Sequence, residues 1–590
     1  MLRYQAPLMD IQFLLKEVLP VENYANLPGF EDATLDTLLA VVEEASKLAS
    51  EVILPTNAVG DREGCHYDPV SHAVTTPTGF REAYRAYAEG GWSGMSAPTE
   101  FGGQGLPHLM KFIVDEMVCS TNLSFGMYPG LSHGAVAALY HHADEALKAR
   151  FLPQLVSGEW TGTMCLTEPQ CGTDLRLIRT RAEPQADGTY AITGTKIWIT
   201  GGEHDLTDNI VHLVLAKLPG APESTKGISM FIVPKVIPET GARNAAYCGG
   251  LEHKMGIKGS ATCVMNFEGA RGWLVGEANE GMRYMFTMMN GARLMVGMQG
   301  LGLAETAYQI SLAFARERLQ SRSLKGPQVP DKPADPILVH PDVRRMLLRQ
   351  KVFNEGNRAL AYWVAYHLDN AHANPDPAER EASDDLVQLM TPVVKAFLTD
   401  EGYTNANWAQ QVLGGSGFTV DWGIEQLVRD GRIARIYEGT NGIQAMDLVG
   451  RKLSLHGGRL IRRYMSLLQG FIAQNTGYPH LAALKGVVEA LQGATVWLAT
   501  QGLKDPDNAG AAASPYLRLV ALSALAYLWA QMDQAAAKAE SAAGSSAFYT
   551  AKRKSAAYFF DRGLQEVGLL VADIKSGKAT LMAHEDSELG

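Results

Sequence analysis

The sequence predicts a mainly α protein with a central β domain. Apolar residues recur at helical spacing from about residue 34 to 160, give way to short alternating runs, and return to helical spacing from about 281. At 590 residues the chain is also too long for one hydrophobic core, so several domains are expected.

After an N-terminal extension over 1–33, Thr34 can cap a helix in which Leu35, Leu38, Leu39 and Val42 share a face. Gly90-Gly91 and the glycine-rich stretch 98–107 interrupt the pattern with a loop, and a further helix is expected over 143–155. These form an N-terminal helical domain, 34–162. Short runs at 190–199, 210–218, 227–234 and 261–267 are rich in β-branched and aromatic residues and bounded by glycine, proline or charge. They predict a small antiparallel β domain over 163–280. Apolar-periodic segments at 282–320, 340–372, 383–412 and 440–454, with a proline-rich loop at 320–341, predict a helical bundle over 281–454. Alanine-rich helices at 481–500, 514–539 and 547–575, with a linker at 506–514, make an additional helical domain over 455–590.

Hydrophobic residues make up 46% and charged residues 19%, a globular balance. The net charge of −11, without a long basic run, argues against nucleic acid or anionic membrane as the main partner. Cys65, Cys119, Cys165, Cys171, Cys248 and Cys263 include no CxxC pair, so free thiols in a reducing compartment are expected. The N-terminus does not read as a signal peptide, and Ser-Glu-Leu-Gly at the end is no peroxisomal address. The most apolar helical stretch, 517–532, contains Arg518 and falls short of the roughly 20 residues that span a bilayer. A cytoplasmic protein without stable membrane insertion is expected. His141 and His142 diverge by about 100° on a helix and are assigned no metal.

Three segments can carry chemistry, each with a plainer alternative. Met164-Cys-Leu-Thr-Glu-Pro-Gln-Cys-Gly-Thr-Asp174 is either a strand-to-loop junction or a donor surface of backbone amides and Thr167 facing a polar heterocycle such as a flavin. Trp198 and Thr200 can flank the same ring system, although a strand tryptophan is more often core. Gln411-Val-Leu-Gly-Gly-Ser-Gly417 is either a helix-ending turn or a close approach of backbone to phosphate, and Arg318 and Gln320 can meet a pyrophosphate or simply face water. In Arg435-Ile-Tyr-Glu-Gly-Thr-Asn-Gly-Ile-Gln444, Glu438 is either an acid at a helix entry capped by Thr440 or a desolvated base for a weakly acidic C–H.

Together these segments resemble the acyl-CoA dehydrogenase family over about 40–454. Gly91-Trp-Ser-Gly-Met-Ser-Ala-Pro98, Lys196-Ile-Trp-Ile-Thr-Gly201 and Lys254-Met-Gly-Ile-Lys-Gly-Ser260 support the likeness. The opening residues and the added C-terminal helices look like an extended bacterial subgroup that includes 3-methylmercaptopropionyl-CoA dehydrogenases and broad fatty acyl-CoA dehydrogenases. The resemblance implies a helical N-terminal domain, an antiparallel β domain and a C-terminal four-helix bundle, with the extra helical domain appended. It implies FAD at the domain junction, partly shared across a homodimer. By position, Leu166, Thr167, Trp198 and Thr200 match residues holding the isoalloxazine, with Gly172 and Thr173 in the adjoining turn. Arg318, Gln320, Gln411, Gly414 and Gly415 match partners of the pyrophosphate, and Thr440 matches another FAD contact. Glu438 matches the catalytic base, and Arg293 an arginine near it. Thr173, Arg293, Tyr437 and Gly439 are expected to bind substrate.

The implied reaction is α,β-dehydrogenation of an acyl-CoA thioester to a trans-2-enoyl-CoA, as in fatty acid β-oxidation, with electron-transferring flavoprotein as acceptor. The alternatives are a 3-methylmercaptopropionyl-CoA dehydrogenase, an acyl-CoA oxidase, a silent DNA-associated flavoprotein, or a helical scaffold. The sequence departs from the family pattern at Thr173, usually serine, and at Ser321 and Arg322, usually phenylalanine and glycine.

Overall fold

The computed structural model describes residues 3–502, 504–544 and 546–590. The chain forms two compact units, one of Met1–Glu43 with Val296–Gly590 and one of Glu44–Met295. In chain order the first helices are α1 (Leu8–Phe13), α2 (Leu35–Lys47), α3 (Asn57–Glu63) and α4 (Phe80–Glu89). Then follow α5 (His108–Thr121), α6 (Leu123–His142) and α7 (Glu145–Ser157). Side-chain caps set two of these starts: Asn122 accepts from the Phe125 amide at 3.1 Å, and Asp144 from Leu147 at 2.9 Å. A short hairpin, β1 (His66–Tyr67) with β2 (Val74–Thr75), interrupts what the sequence reads as helical. Two-residue strands are too short for alternation to register.

The β domain holds β3 (Trp160–Cys165), β4 (Arg181–Pro184), β5 (Tyr190–Thr200), β6 (Asn209–Lys217), β7 (Ile228–Pro234), β8 (Ala246–Leu251) and β9 (Thr262–Leu274). Pairings run β6–β4–β5–β9–β7 and return to β6, with β3 beside β6 and β8 beside β9. Most pairs are antiparallel, as expected, but β3 and β4 both run parallel to β6. β6 is buried along almost its whole length, which is why it reads as a continuous apolar run rather than an alternating one.

Helix α8 (Gly281–Glu317) carries the methionine-rich stretch onto α6: a Cβ on Gly134 would come within 2.7 Å of Met288. In the first unit α8 packs with α9 (Pro341–Ala373) and α10 (Pro377–Leu413). Gly402 faces the Gly300 carbonyl so closely that a Cβ would lie 2.3 Å away, so the two backbones meet at small residues. Next come α11 (Gly415–Phe418), α12 (Ile424–Gly431) and α13 (Asn441–Asp447). The C-terminal block comprises α14 (Arg459–Gln474), α15 (Leu481–Trp497), α16 (Pro506–Ala543), α17 (Ala547–Tyr558) and α18 (Val567–Ser576).

Two expectations change here. Residues 506–514 are not a linker: Pro506 takes the first helical position, where its missing N–H costs nothing, and Asp505 caps it by accepting from Asp507 at 3.1 Å. Residues 547–575 form two helices separated by the wide turn Phe559–Gly563. The apolar stretch 517–532 is thereby part of a 38-residue helix. By length and composition Leu481–Gly502 and Pro506–Ala542 could each cross a bilayer, but 78% of the apolar window in the latter is buried by neighbouring helices, which marks a core helix.

Candidate active site

In the second unit, Leu166 and Thr167 follow β3 and are pinned to β5 by a buried ion pair. The Lys196 ammonium donates to the Leu166 carbonyl and to Glu168 Oε1, each at 2.9 Å, and the Ile197 amide donates to the Thr167 carbonyl at 2.9 Å. Glu168 also accepts from the amides of Arg179 (2.7 Å) and Thr180 (3.0 Å), and from the Thr180 hydroxyl (2.6 Å). Burial alone would raise its pKa, but the Lys196 charge and these donors bring the carboxyl down to about 2.

One residue beyond this anchor, β5 shifts register between Lys196 and Ile199, and Trp198 adopts φ +59. Its indole is 60% exposed, so it is not the core residue that a strand tryptophan usually is. Thr167 and Thr200 are half-buried, Gly172 and Thr173 exposed. The result is an exposed aromatic face on a strand that carries the half-buried Thr200 two residues on and is hydrogen-bonded to the backbone of Thr167. Arg293 is buried in α8, its Nη1 donating to Asn290 Oδ1 at 3.4 Å.

In the first unit, Glu438 sits in a tight turn between Arg435 and α13, with φ +56, followed by Gly439 at φ +84. A non-glycine residue in this left-handed region is held there by its surroundings. The buried Lys395 of α10 donates to the Gly439 carbonyl at 2.8 Å and to Asn441 Oδ1 at 2.9 Å. Gln444 donates to the carbonyls of Glu438 (3.0 Å) and Gly439 (3.3 Å). Asn441 Nδ2 reaches the Ala396 carbonyl (3.1 Å), Thr399 (3.0 Å) and Asp400 (2.9 Å) on α10. A Cβ at Gly439 would lie 2.7 Å from Gln444 Nε2, so glycine is needed for space as well as for φ. The Tyr437 hydroxyl donates to Gln299 Oε1, and Thr440 caps α13 by accepting from Ile443 at 3.3 Å. Glu438 itself is half-buried.

The sequence reading missed Lys395, Asn441, Gln444 and Gln299. Its available signal was a single lysine inside the apolar run Val393-Val394-Lys395-Ala396-Phe397.

Gln411, Gly414 and Gly415 line a cleft of about 750 Å³ with Tyr403, Asn407 and Phe418. Arg318, nearly 100 positions earlier in the chain, lies over the Phe314 ring at 5.0 Å and donates from Nη2 to Ser416 Oγ at 3.3 Å. The two candidate pyrophosphate segments are thus brought together, and Gln320 is exposed nearby in sequence. Among the described residues no group of three or more His, Cys, Asp or Glu could hold a metal; His142 instead bonds Thr287 at 2.7 Å and stacks on Tyr284 at 4.5 Å.

This geometry can be set beside known proteins. Residues 36–159, 163–270 and 279–453 match the N-terminal, middle and C-terminal domains of acyl-CoA dehydrogenases, and 464–585 match an acetyl-CoA dehydrogenase C-terminal-like domain. The chain is 42% identical over 576 residues to a 3-methylmercaptopropionyl-CoA dehydrogenase of Ruegeria pomeroyi, covering 95% of this chain and 96% of that protein. It is 36% identical over 490 residues to the broad-specificity linear acyl-CoA dehydrogenase FadE5 of Mycobacterium tuberculosis, covering 81% of this chain and 80% of that one. Among solved structures, an acyl-CoA dehydrogenase complexed with FAD from Bacillus anthracis superposes with a TM-score of 0.74 at 22% identity, over 100% of this chain and 94% of that one.

Proposed function

This chain belongs to the acyl-CoA dehydrogenase family, and from that premise we propose that it is an FAD-dependent enzyme converting an acyl-CoA to a trans-2-enoyl-CoA with Glu438 as base. The observation that carries the assignment is the turn at Glu438: a carboxylate in a left-handed conformation, its backbone clamped by Lys395 and Gln444.

The residues fit a flavin nucleotide. Trp198 exposes an indole on the strand that carries Thr200 and that hydrogen-bonds the backbone of Thr167, a surface suited to a flat polar heterocycle. The open turn at Gly414 and Gly415, with Arg318 and Gln411, offers amide and guanidinium donors suited to a pyrophosphate. Leu166, Thr167, Trp198 and Thr200, with Gly172 and Thr173 alongside, would hold the ring, and Arg318, Gln320, Gln411, Gly414 and Gly415 the phosphates. Thr440 accepts its capping bond and keeps its own proton to donate. FAD, when bound, supplies the acceptor for the β-hydride.

The protein's own part is proton removal and charge stabilisation. Glu438 takes the α-proton onto its carboxylate. Its backbone N–H is assigned to the thioester carbonyl, where one such donor contributes about 3 kcal/mol as enolate charge develops. Because the turn is clamped, little reorganisation accompanies the step. Thr173, Arg293, Tyr437 and Gly439 are assigned to substrate.

Two substrate readings follow. A fatty acyl-CoA of β-oxidation fits the relationship to the broad-specificity enzyme, and a 3-methylmercaptopropionyl thioester fits the identity that extends over nearly the whole chain. Dye-coupled turnover across straight-chain and methylthio-propionyl thioesters separates them. Electron-transferring flavoprotein is the proposed acceptor, and rapid peroxide formation during turnover would indicate an oxidase instead. A cytoplasmic homodimer is proposed; Phe418 and Val420, 83% and 75% exposed beside the Gly414 turn, support the dimer.

Glu438→Gln is expected to retain FAD and bind acyl-CoA while losing dehydrogenation by roughly a thousandfold, read as flavin bleaching on mixing with substrate. A variant that bleaches at the parent rate would reject the assignment.

A further inference from the structure

Between α8 and α9 the chain makes a long excursion over 318–340, and its hydrogen bonds converge on one side chain. Asp335 is fully buried. Its Oδ1 accepts from the amides of Gln328 (2.9 Å) and Val329 (2.8 Å), and its Oδ2 from Ser323 (2.9 Å). The Arg322 guanidinium lies 3.4 Å from Oδ1 and also donates to the carbonyls of Val329 (3.1 Å) and Lys332 (2.5 Å). These amides, Ser323 first, hold the Asp335 carboxyl below its ordinary range, so the clasp is ionic.

The backbone of the same residue grips the other side of the loop. Gln320 donates to the Asp335 carbonyl at 3.0 Å, Asp335 to the Ser321 carbonyl at 2.9 Å, and Ile337 to the Arg318 carbonyl at 2.8 Å. The His340 ring donates to the Gln320 carbonyl at 2.9 Å, and Ser321 is bent to φ +60. Residues 318–321 are therefore laced to 335–337, and Arg322 is the cation that balances the buried carboxylate. A carboxylate collecting three amides ordinarily serves only to fasten a loop. What distinguishes this one is that the fastened segment aims Arg318 at Ser416, beside Gly414 and Gly415.

We propose that Asp335 is a positioning residue for the cofactor pyrophosphate, acting through the backbone of 318–321 to hold Arg318 against the Gly414–Ser416 turn and to fix the backbone of Gln320. Because Arg322 and the amides neutralise it, Asp335 brings no net repulsion to an anion there. The inference rests on the assignment of Arg318 and Gln320 to the pyrophosphate made above.

The test is the dissociation constant of FAD from the FAD-stripped full chain, followed by quenching of flavin fluorescence. D335N should raise it about tenfold, the loss expected for one charge-assisted hydrogen bond. The R318A/Q320A variant should raise it at least as much, and D335N added to that background should change it less than about twofold, since the two act along one path. A parent-like value in D335N alongside weakened binding in R318A/Q320A overturns the inference alone, as does a full further loss in the combined variant. An unchanged value in R318A/Q320A removes the pyrophosphate assignment and the inference together. If D335N does not fold, R322A takes its place, with weakening about threefold or more in support and a parent-like value against.

Discussion

Glu168 is an anion kept in a dry site by one cation and several donors, and its consequences for stability are specific. The carboxyl is brought from 4.5 to about 2 on folding, so the unfolded chain binds its proton more readily than the folded one. Its contribution is therefore complete above about pH 4.5 and fades as pH falls toward 2. Burial lowers the pKa of Lys196, which offsets part of this gain. Glu168→Gln leaves the lysine without its counter-charge and is expected to cost about 3 kcal/mol at neutral pH. Melting temperatures of the variant should also depend less on pH between 5 and 3 than those of the parent (roughly the window set by the shift). Equal pH slopes in the two proteins would show that Glu168 does not carry the effect. The same pair fastens Leu166 and Thr167 to the strand that presents Trp198, so flavin affinity should weaken with it.

At the level of elements, the N-terminal extension and the C-terminal block are joined through charge. Arg358 of α9, 1% exposed, donates to Asp10 of α1 at 2.5 Å and to Glu305 of α8 at 2.9 Å. Lys552 of α17 contacts Asp10 as well, and Glu355 at 2.9 Å. Four helices thus share one buried network, in which each carboxylate needs a cation. Arg358→Ala strands Glu305, leaves Asp10 with Lys552 alone, and is expected to destabilise the first unit by about 3–5 kcal/mol. Urea unfolding of the full chain measures that loss, and early proteolytic cutting within 1–33 should accompany it. Loss below about 1 kcal/mol would mean that the network adds orientation rather than stability.

For the molecule as a whole, the proposed dimer makes a joint prediction. Phe418→Asp puts a charge into the exposed apolar strip next to the Gly414 turn. Light scattering should show twice the chain mass for the parent and the mass of a single chain for the variant, with FAD lost in the same step. A dimeric, flavin-replete variant would place the interface elsewhere. The order of domains was legible in the sequence, because helical and alternating periodicities span many residues and survive local noise. The segments around Thr167, Trp198, Gly414 and Glu438 could be singled out as candidates, since a short peptide carries its own turn chemistry and its family likeness. The parallel placement of β3 and β4, the helix in place of the 506–514 linker, and the break within 547–575 were not legible. What the linear chain could not express was pairing: Lys395 with Gly439, Glu168 with Lys196, Arg318 with Ser416 and Asp10 with Arg358 and Lys552. Partners dozens to hundreds of positions apart leave no mark in local spacing, and their energies exist only once folding has excluded water from between them.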